Sequence, residues 1–167
     1  YWVSEKMIHT FGNDLLSKIV PVKKGLDTGN NDYFLKYWHE VSYNKIGIRK
    51  SQEDFISTYK WAPHDKGGAF SRWYGNNEWV INWENNAHEL RNSKANIRSE
   101  QYYFQKAITW NSLASGKISF RLSDNNAISN TAGSSLYPSG NDIYMYLGIL
   151  NSKVAQECLN IVSPTLN

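Results

Sequence analysis

Two stretches of this chain gather side chains able to hold a charged ligand with flat rings. The first is Lys23-Lys24-Gly25-Leu26-Asp27-Thr28-Gly29-Asn30-Asn31. Its lysines supply cations and its asparagines carboxamides. Its glycines let the backbone come close to a ligand, where successive N–H groups can hold an anion. It is not a P-loop, because the Gly-Lys-Ser/Thr ending is missing, and an ordinary turn would have the same composition. The second stretch is Trp61 to Trp83, WAPHDKGGAFSRWYGNNEWVINW. It sets Lys66, Arg72, Trp73, Tyr74, Asn76 and Asn77 around the flexible pair Gly67-Gly68. Arg and Lys bond guanine edges, Asn bonds adenine, cations and backbone amides fix phosphates, and aromatic rings stack on exposed bases. The same side chains suit a carbohydrate, whose faces stack on Trp and Tyr while Asn reads hydroxyls. A tryptophan-rich structural hairpin with solvated charges is the plain alternative, since large aromatics favour strands anyway.

Catalytic constellations are missing. His9, His39, His64 and His88 are scattered, none pairing with another at i+3 to i+5, and Cys158 is the lone thiol, so no zinc site is expected. The hydrolase word Gly-x-Ser-x-Gly does not occur. Glu53-Asp54 follows Ser51, where a helix start explains the acids. The chain reads as a binding module with no catalytic residue, metal or cofactor of its own.

The totals agree with a folded domain. A length of 167 residues is one domain by the usual prior, and 41% hydrophobic with 20% charged residues excludes both disorder and a membrane-embedded chain. No apolar run reaches the roughly 18 to 20 residues of a spanning helix. A net charge of +3 permits an anionic partner without demanding one. One cysteine excludes a disulfide framework and suits a reducing cytoplasm. The opening Tyr1-Trp2-Val3-Ser4 lacks a basic-then-apolar leader and an initiating Met, so a piece of a longer protein is expected.

Elements to carry these residues follow from periodicity. Val3, Met7, Ile8 and Phe11 predict a helix over residues 2–11. Leu15 to Val22 and the aromatic run Tyr33 to Val41 predict strands. A tight turn at Gly75-Asn76-Asn77 is expected to join two β segments, the second alternating Trp79, Ile81 and Trp83 into the core. Glu84 to Arg91 has a weak helical pattern. Short strands are expected over 107–110, 117–122 and 127–131. Next comes a loop of small residues, Ala132-Gly133-Ser134-Ser135-Leu136-Tyr137-Pro138. Ile143, Tyr146, Leu147, Leu150 and Val154 predict one closing helix over 141–161. The class is α+β: strand-rich, with short helices and a C-terminal helix, forming a single domain over 1–167.

Several words in order carry a resemblance. They are the Gly25–Leu35 loop, Lys60-Trp61, Lys66-Gly67-Gly68, Arg72-Trp73-Tyr74-Gly75-Asn76, Val80-Ile81-Asn82-Trp83-Glu84, Ile108-Thr109-Trp110 and Gly133–Pro138, closing with Leu147–Ala155. Together these resemble the specificity region of adenine-specific DNA methyltransferases, namely the PglX methyltransferases of the BREX phage-defence system and related type II restriction-modification enzymes. The closing helix is also similar to one that follows target recognition domains in type I specificity subunits. The family's Asn/Asp-Pro-Pro-Tyr/Phe motif and Gly-rich S-adenosylmethionine loop are absent. The resemblance therefore implies a target recognition domain that grips double-stranded DNA. S-adenosylmethionine and the catalytic methyltransferase domain would then lie N-terminal in the same polypeptide, where the flipped adenine goes. It leaves open whether the parent also cleaves DNA. The implied DNA-binding residues are Lys23, Lys24, Asn30, Asn31, Lys66, Arg72, Trp73, Tyr74, Asn76, Asn77, Ser134 and Ser135.

Overall fold

Short runs of strand-forming residues separated by capped turns give short elements, and the computed structural model, which describes residues 4–112 and 118–162, bears that out. In chain order these are α1 (Glu5–Thr10), α2 (Leu16–Ile19), β1 (Val22–Lys23), α3 (Asn31–Phe34), β2 (Leu35–Tyr37), β3 (Trp61–Asp65) and β4 (Trp79–Asn82). Next come α4 (Glu84–Arg91), β5 (Ala107–Asn111), β6 (Arg121–Ser123), β7 (Ile128–Ser129), β8 (Gly133–Leu136), α5 (Asp142–Leu150) and α6 (Lys153–Val162). The class is α+β, as the sequence implies. No helix among the described residues is long and apolar enough to cross a membrane.

The first sheet runs β1-β8-β5-β6, antiparallel throughout. Its register sorts its faces. Val22, Leu136, Ile108 and Leu122 form one cross-strand row, and Lys23, Ser135, Thr109 and Arg121 form the next. Neighbouring residues on a strand face opposite ways, so one face is apolar and the other polar. The apolar row packs with Val20, Phe120 and the α5 residues Ile143 and Leu147. Ser135, Thr109 and Arg121 of the polar row are buried as well.

The second sheet runs β2-β4-β3-β7, with β7 parallel to β3. Its core collects Leu26, Phe34, Phe55, Ile81, Trp83, Leu90 and Phe104. Trp83 meets Tyr103 and Phe104 edge-on at 5.8 and 5.9 Å between centroids, a geometry that aromatic quadrupoles favour. Val80 and Asn82 are buried along with Ile81 and Trp83, while Trp79 is only half-buried. β4 is thus a central strand enclosed on both faces rather than the half-buried strand that alternation suggests.

Other expectations change for identifiable reasons. The two β segments around the Trp-rich stretch do pair, Trp61 with Asn82 and Pro63 with Val80. They are not joined by a tight turn, because residues 66–78 leave the hairpin and run beside β6. Leu15–Val22 is mostly the helical turn α2, which lets Leu16 and Val20, four apart, reach the same apolar cluster. Tyr33–Val41 begins as α3, capped by Asn30, and only Leu35–Tyr37 is extended. Gly133–Leu136 is no loop but the strand β8, between β1 and β5. A Cβ at Gly133 would collide with the Trp110 carbonyl, so small residues are what this strand requires.

The closing helix is two helices. The Asn151 amide donates to the carbonyls of Phe120 at 2.9 Å and Leu147 at 3.1 Å, and its Oδ1 accepts from Phe120 N at 3.2 Å. That anchoring breaks the helix and turns Val154 outward, 71% exposed. The strand at 127–131 shortens to Ile128–Ser129, and the one at 107–110 stands. So does the start at Ser51, whose hydroxyl and N–H both bond Asp54. The expected strand from Lys117 starts outside the described residues, and of its described part only Arg121 and Leu122 are extended, within β6. Residues 84–91 do coil, but Asn85, Asn86 and Ala87 have φ of 50°, 55° and 60° and form a left-handed turn.

Candidate nucleic-acid interface

The excursion 66–78 is held at three places. Trp73 makes a parallel bridge to Arg121, its N–H donating to the Phe120 carbonyl at 3.0 Å and its own carbonyl accepting from Leu122 N at 2.9 Å. At the base, the Asn111 amide donates to the Gly68 carbonyl at 2.7 Å, and Arg121 Nη2 donates to Asn111 Oδ1 at 2.9 Å. Within the loop, the Asn76 amide donates to the Ala69 carbonyl at 3.0 Å and the Ser71 hydroxyl to the Tyr74 carbonyl at 2.6 Å. Gly67 has φ +83°, and a Cβ there would come within 2.6 Å of Asn111 Oδ1. Only glycine suits that conformation and that contact.

So fixed, the loop turns Phe70, Trp73 and Tyr74 outward, 61%, 50% and 55% exposed. The Arg72 guanidinium lies 5.8 Å from the Phe70 ring, and its Nε is enclosed without a hydrogen-bond partner among the described residues. Lys66 Nζ sits 3.7 Å above the Trp79 ring, a cation–π contact. Asn77 lines a cavity beside Trp79.

The first loop is more structural than its composition suggests. Leu26 is fully buried, and its N–H donates to the Ser129 carbonyl at 2.8 Å. A Cβ at Gly25 would collide with that same carbonyl. Asn30 Oδ1 caps α3 by accepting from Tyr33 N at 3.2 Å, and Asn31 Oδ1 accepts from the Thr28 hydroxyl at 2.6 Å. Lys24 is exposed, and Lys23 Nζ lies 5.4 Å from the Tyr102 ring centre. β7 stands between the two groups: Leu26 bonds Ser129 from one side, and Asp65, next to Lys66, pairs with Ser129 from the other, about 10 Å across two strand spacings. Ser134 on β8 is half-buried. Ser135 is 2% exposed, which removes its hydroxyl from the surface.

Like most lysines and arginines among the described residues, these cations make no ion pair. The ion pairs among the described residues are Lys18–Asp14, Arg49–Asp124, Lys60–Glu84 and Arg91–Glu100, and none uses Lys23, Lys24, Lys66 or Arg72. Beneath the loop lie groups with shifted ionisation. Burial pushes the Asp65 carboxyl up to about 6, against the opposing pull of the Ser123 hydroxyl and Arg121. Burial also lowers Arg121, with Asp65 and Glu78 acting the other way. His64, its Nε2 3.1 Å from the Asn130 amide, is pushed by burial down to about 4 and so stays neutral. Among the described residues no three His, Cys, Asp or Glu side chains are grouped to hold a metal.

Sequence reasoning missed Asn111 and Arg121, which set the loop's shape. An arginine inside a short strand, opposite a threonine, was the available sign that it turns inward. Phe70 also went unassigned, although its ring lies 5.8 Å from the Arg72 guanidinium.

No protein-family model matches the chain. Among curated proteins it is 33% identical, over 178 aligned residues, to the adenine-specific methyltransferase PglX of Lacticaseibacillus casei (strain Zhang). It is 36% identical, over 171, to the adenine-specific methyltransferase BrxX of Escherichia coli O9:H4 (strain HS). Both alignments cover 100% of this chain, which spans only 15% and 14% of those relatives. Over its whole length, then, this chain is homologous to a segment of adenine-specific methyltransferases several times longer than itself.

Proposed function

We propose that this segment is the DNA target recognition domain of an adenine-N6 DNA methyltransferase in a BREX-type phage-defence or restriction-modification system of the cytoplasm. It selects the duplex sequence; a methyltransferase domain in the same polypeptide, holding S-adenosylmethionine, modifies the adenine. The observation that supports the DNA-reading role is the loop 66–78. Its backbone is pinned through Asn111 to buried Arg121, while its rings face outward and Lys66 and Arg72 lack carboxylate partners among the described residues. A pinned loop spends little ordering entropy on binding. Arg72, Asn77 and Lys66 contact bases or phosphates, Asn76 holds the loop in shape, and Trp73 and Tyr74 stack or wedge. Lys23, Lys24, Asn30, Asn31 and Ser134 meet the phosphate backbone. Ser135 keeps an interior role.

The test is to place Arg72→Ala and Asn77→Ala separately in the full-length methyltransferase and map methylated adenines by sequencing. Relaxed or altered sequence at a subset of positions supports the reading. An unchanged site methylated at an unchanged level contradicts it.

A further inference from the structure

Beside the reading loop opens a cavity of about 270 Å³, whose walls include Trp38, Tyr43, Trp79, Asn77 and Asn125 over a floor at Ile46. Its composition is unusual for a surface hollow. Trp38 and Tyr43 are 50% and 69% exposed, so wide aromatic faces are left uncovered. The Trp79 ring contacts the Lys66 ammonium at 3.7 Å and the Tyr37 ring at 4.1 Å. The carboxamides of Asn77 and Asn125 have no side-chain hydrogen-bond partner among the described residues, and no acidic residue lines the cavity. Arg49 holds the far wall in place, donating from its N–H to the Asn125 carbonyl at 2.9 Å and from its guanidinium to Asp124 at 3.0 Å.

We infer that this cavity receives one unstacked nucleobase from the duplex gripped by loop 66–78, an inference that rests on the DNA-reading role above. Drug-sized ligands take roughly 300–1,000 Å³, so a hollow of this size suits a single planar ring system. Aromatic walls replace the stacking that a displaced base gives up. A carboxamide presents a donor and an acceptor side by side, the pattern that a base edge offers. Asn77 and Trp79 belong to the loop's end and to the strand it feeds, so a base leaving the stack beside the loop has a short path. A neutral sugar would gain nothing from Lys66, whereas the phosphates flanking an extruded base would. The cavity lining carries no acid, histidine or thiol, so the base is held there and not altered.

The experiment uses fluorescence anisotropy with the chain, Trp38→Ala and Asn125→Ala. The probes are a paired duplex containing the methylated site and a series in which one unpaired nucleotide is moved along it. The parent chain should bind one member of the series on the order of five- to a hundredfold tighter than the paired duplex. Trp38→Ala should remove that preference and leave the paired affinity unchanged, and Asn125→Ala should reduce it for some bases only. Equal affinity across the series, or equal losses on every duplex, would overturn the cavity assignment while leaving the DNA-reading role standing. Failure to bind any duplex would sink both. Saturable tryptophan quenching by an oligosaccharide, abolished in Trp38→Ala, would give the cavity to a sugar instead.

Discussion

The guanidinium of Arg121, 3% exposed, donates to Oδ1 of Asn111 at 2.9 Å. Asn111 passes the constraint outward through its own amide to the Gly68 carbonyl. One carboxamide therefore couples a buried cation in the first sheet to the base of an exposed loop. The shape of that loop depends on the interior of the domain more than on its own residues.

Asn111→Ala should destabilise the chain by about 1–3 kcal/mol, because it leaves a buried donor and a backbone carbonyl without partners. Urea unfolding gives the stability. Hydrogen exchange should speed up at residues 66–78 more than in β3 or β4. Uniform change across the chain would mean that Asn111 is ordinary packing.

The pH dependence should contain two opposed contributions. His64 titrates near 4 when folded against an ordinary 6.5. Between those values the unfolded chain binds more protons, so this contribution is lost as pH falls through the window. Asp65 titrates near 6 when folded against an ordinary 3.8. In its window the folded chain binds more protons, so its contribution is lost as pH rises. The two slopes oppose each other between pH 4 and 6. Relative to the parent chain, Asp65→Asn should therefore lose stability as pH falls from 6 to 4, read as a shift in urea midpoint. Parallel midpoint curves for parent and variant would refute the assignment.

Gly25→Ala should cost about 1–3 kcal/mol, the usual range for forcing a methyl group into filled space, since Ser129 occupies the position its Cβ would take. Thermal unfolding checks it. A neutral result would return Gly25 to the flexible ligand-approach role that the sequence suggests.

What the sequence makes legible is local chemistry. The Ser51 cap, the Trp61–Asp65 and Trp79–Asn82 strands and the strands at 107 and 128 follow from propensity and period. What it hides is set by partners distant in the chain. Ser134 and Ser135 look like loop residues until β1 and β5 enclose them. Leu15–Val22 resembles a strand because a short apolar run carries no period that separates strand from one helical turn. The break at Asn151 depends on the backbone of Phe120, thirty-one residues back. For the candidate site, the sequence offers residue types but not their arrangement. Nothing local says that Gly25 and Asn30 serve packing and capping, or that Arg121 underpins the loop.

Two loop cations should differ in what they lose. Arg72→Ala should cost about 1–3 kcal/mol of specific duplex affinity and relax sequence preference at one position. Lys66→Ala, if it meets phosphate, should weaken all duplexes alike and lower the salt slope by about 1. Titrations with cognate and scrambled duplexes at several salt concentrations separate the two behaviours. The same signature from both variants would merge their roles.

The most direct measurement is duplex binding by the chain itself. A duplex carrying the adenine site that the proposed parent methyltransferase would modify is titrated against a scrambled duplex at about 50 and about 200 mM salt. The account predicts tighter binding to the cognate duplex, affinity for both duplexes falling steeply with salt, and loss of the preference in Arg72→Ala. Equal affinity for the two sequences, or binding indifferent to salt, would contradict it.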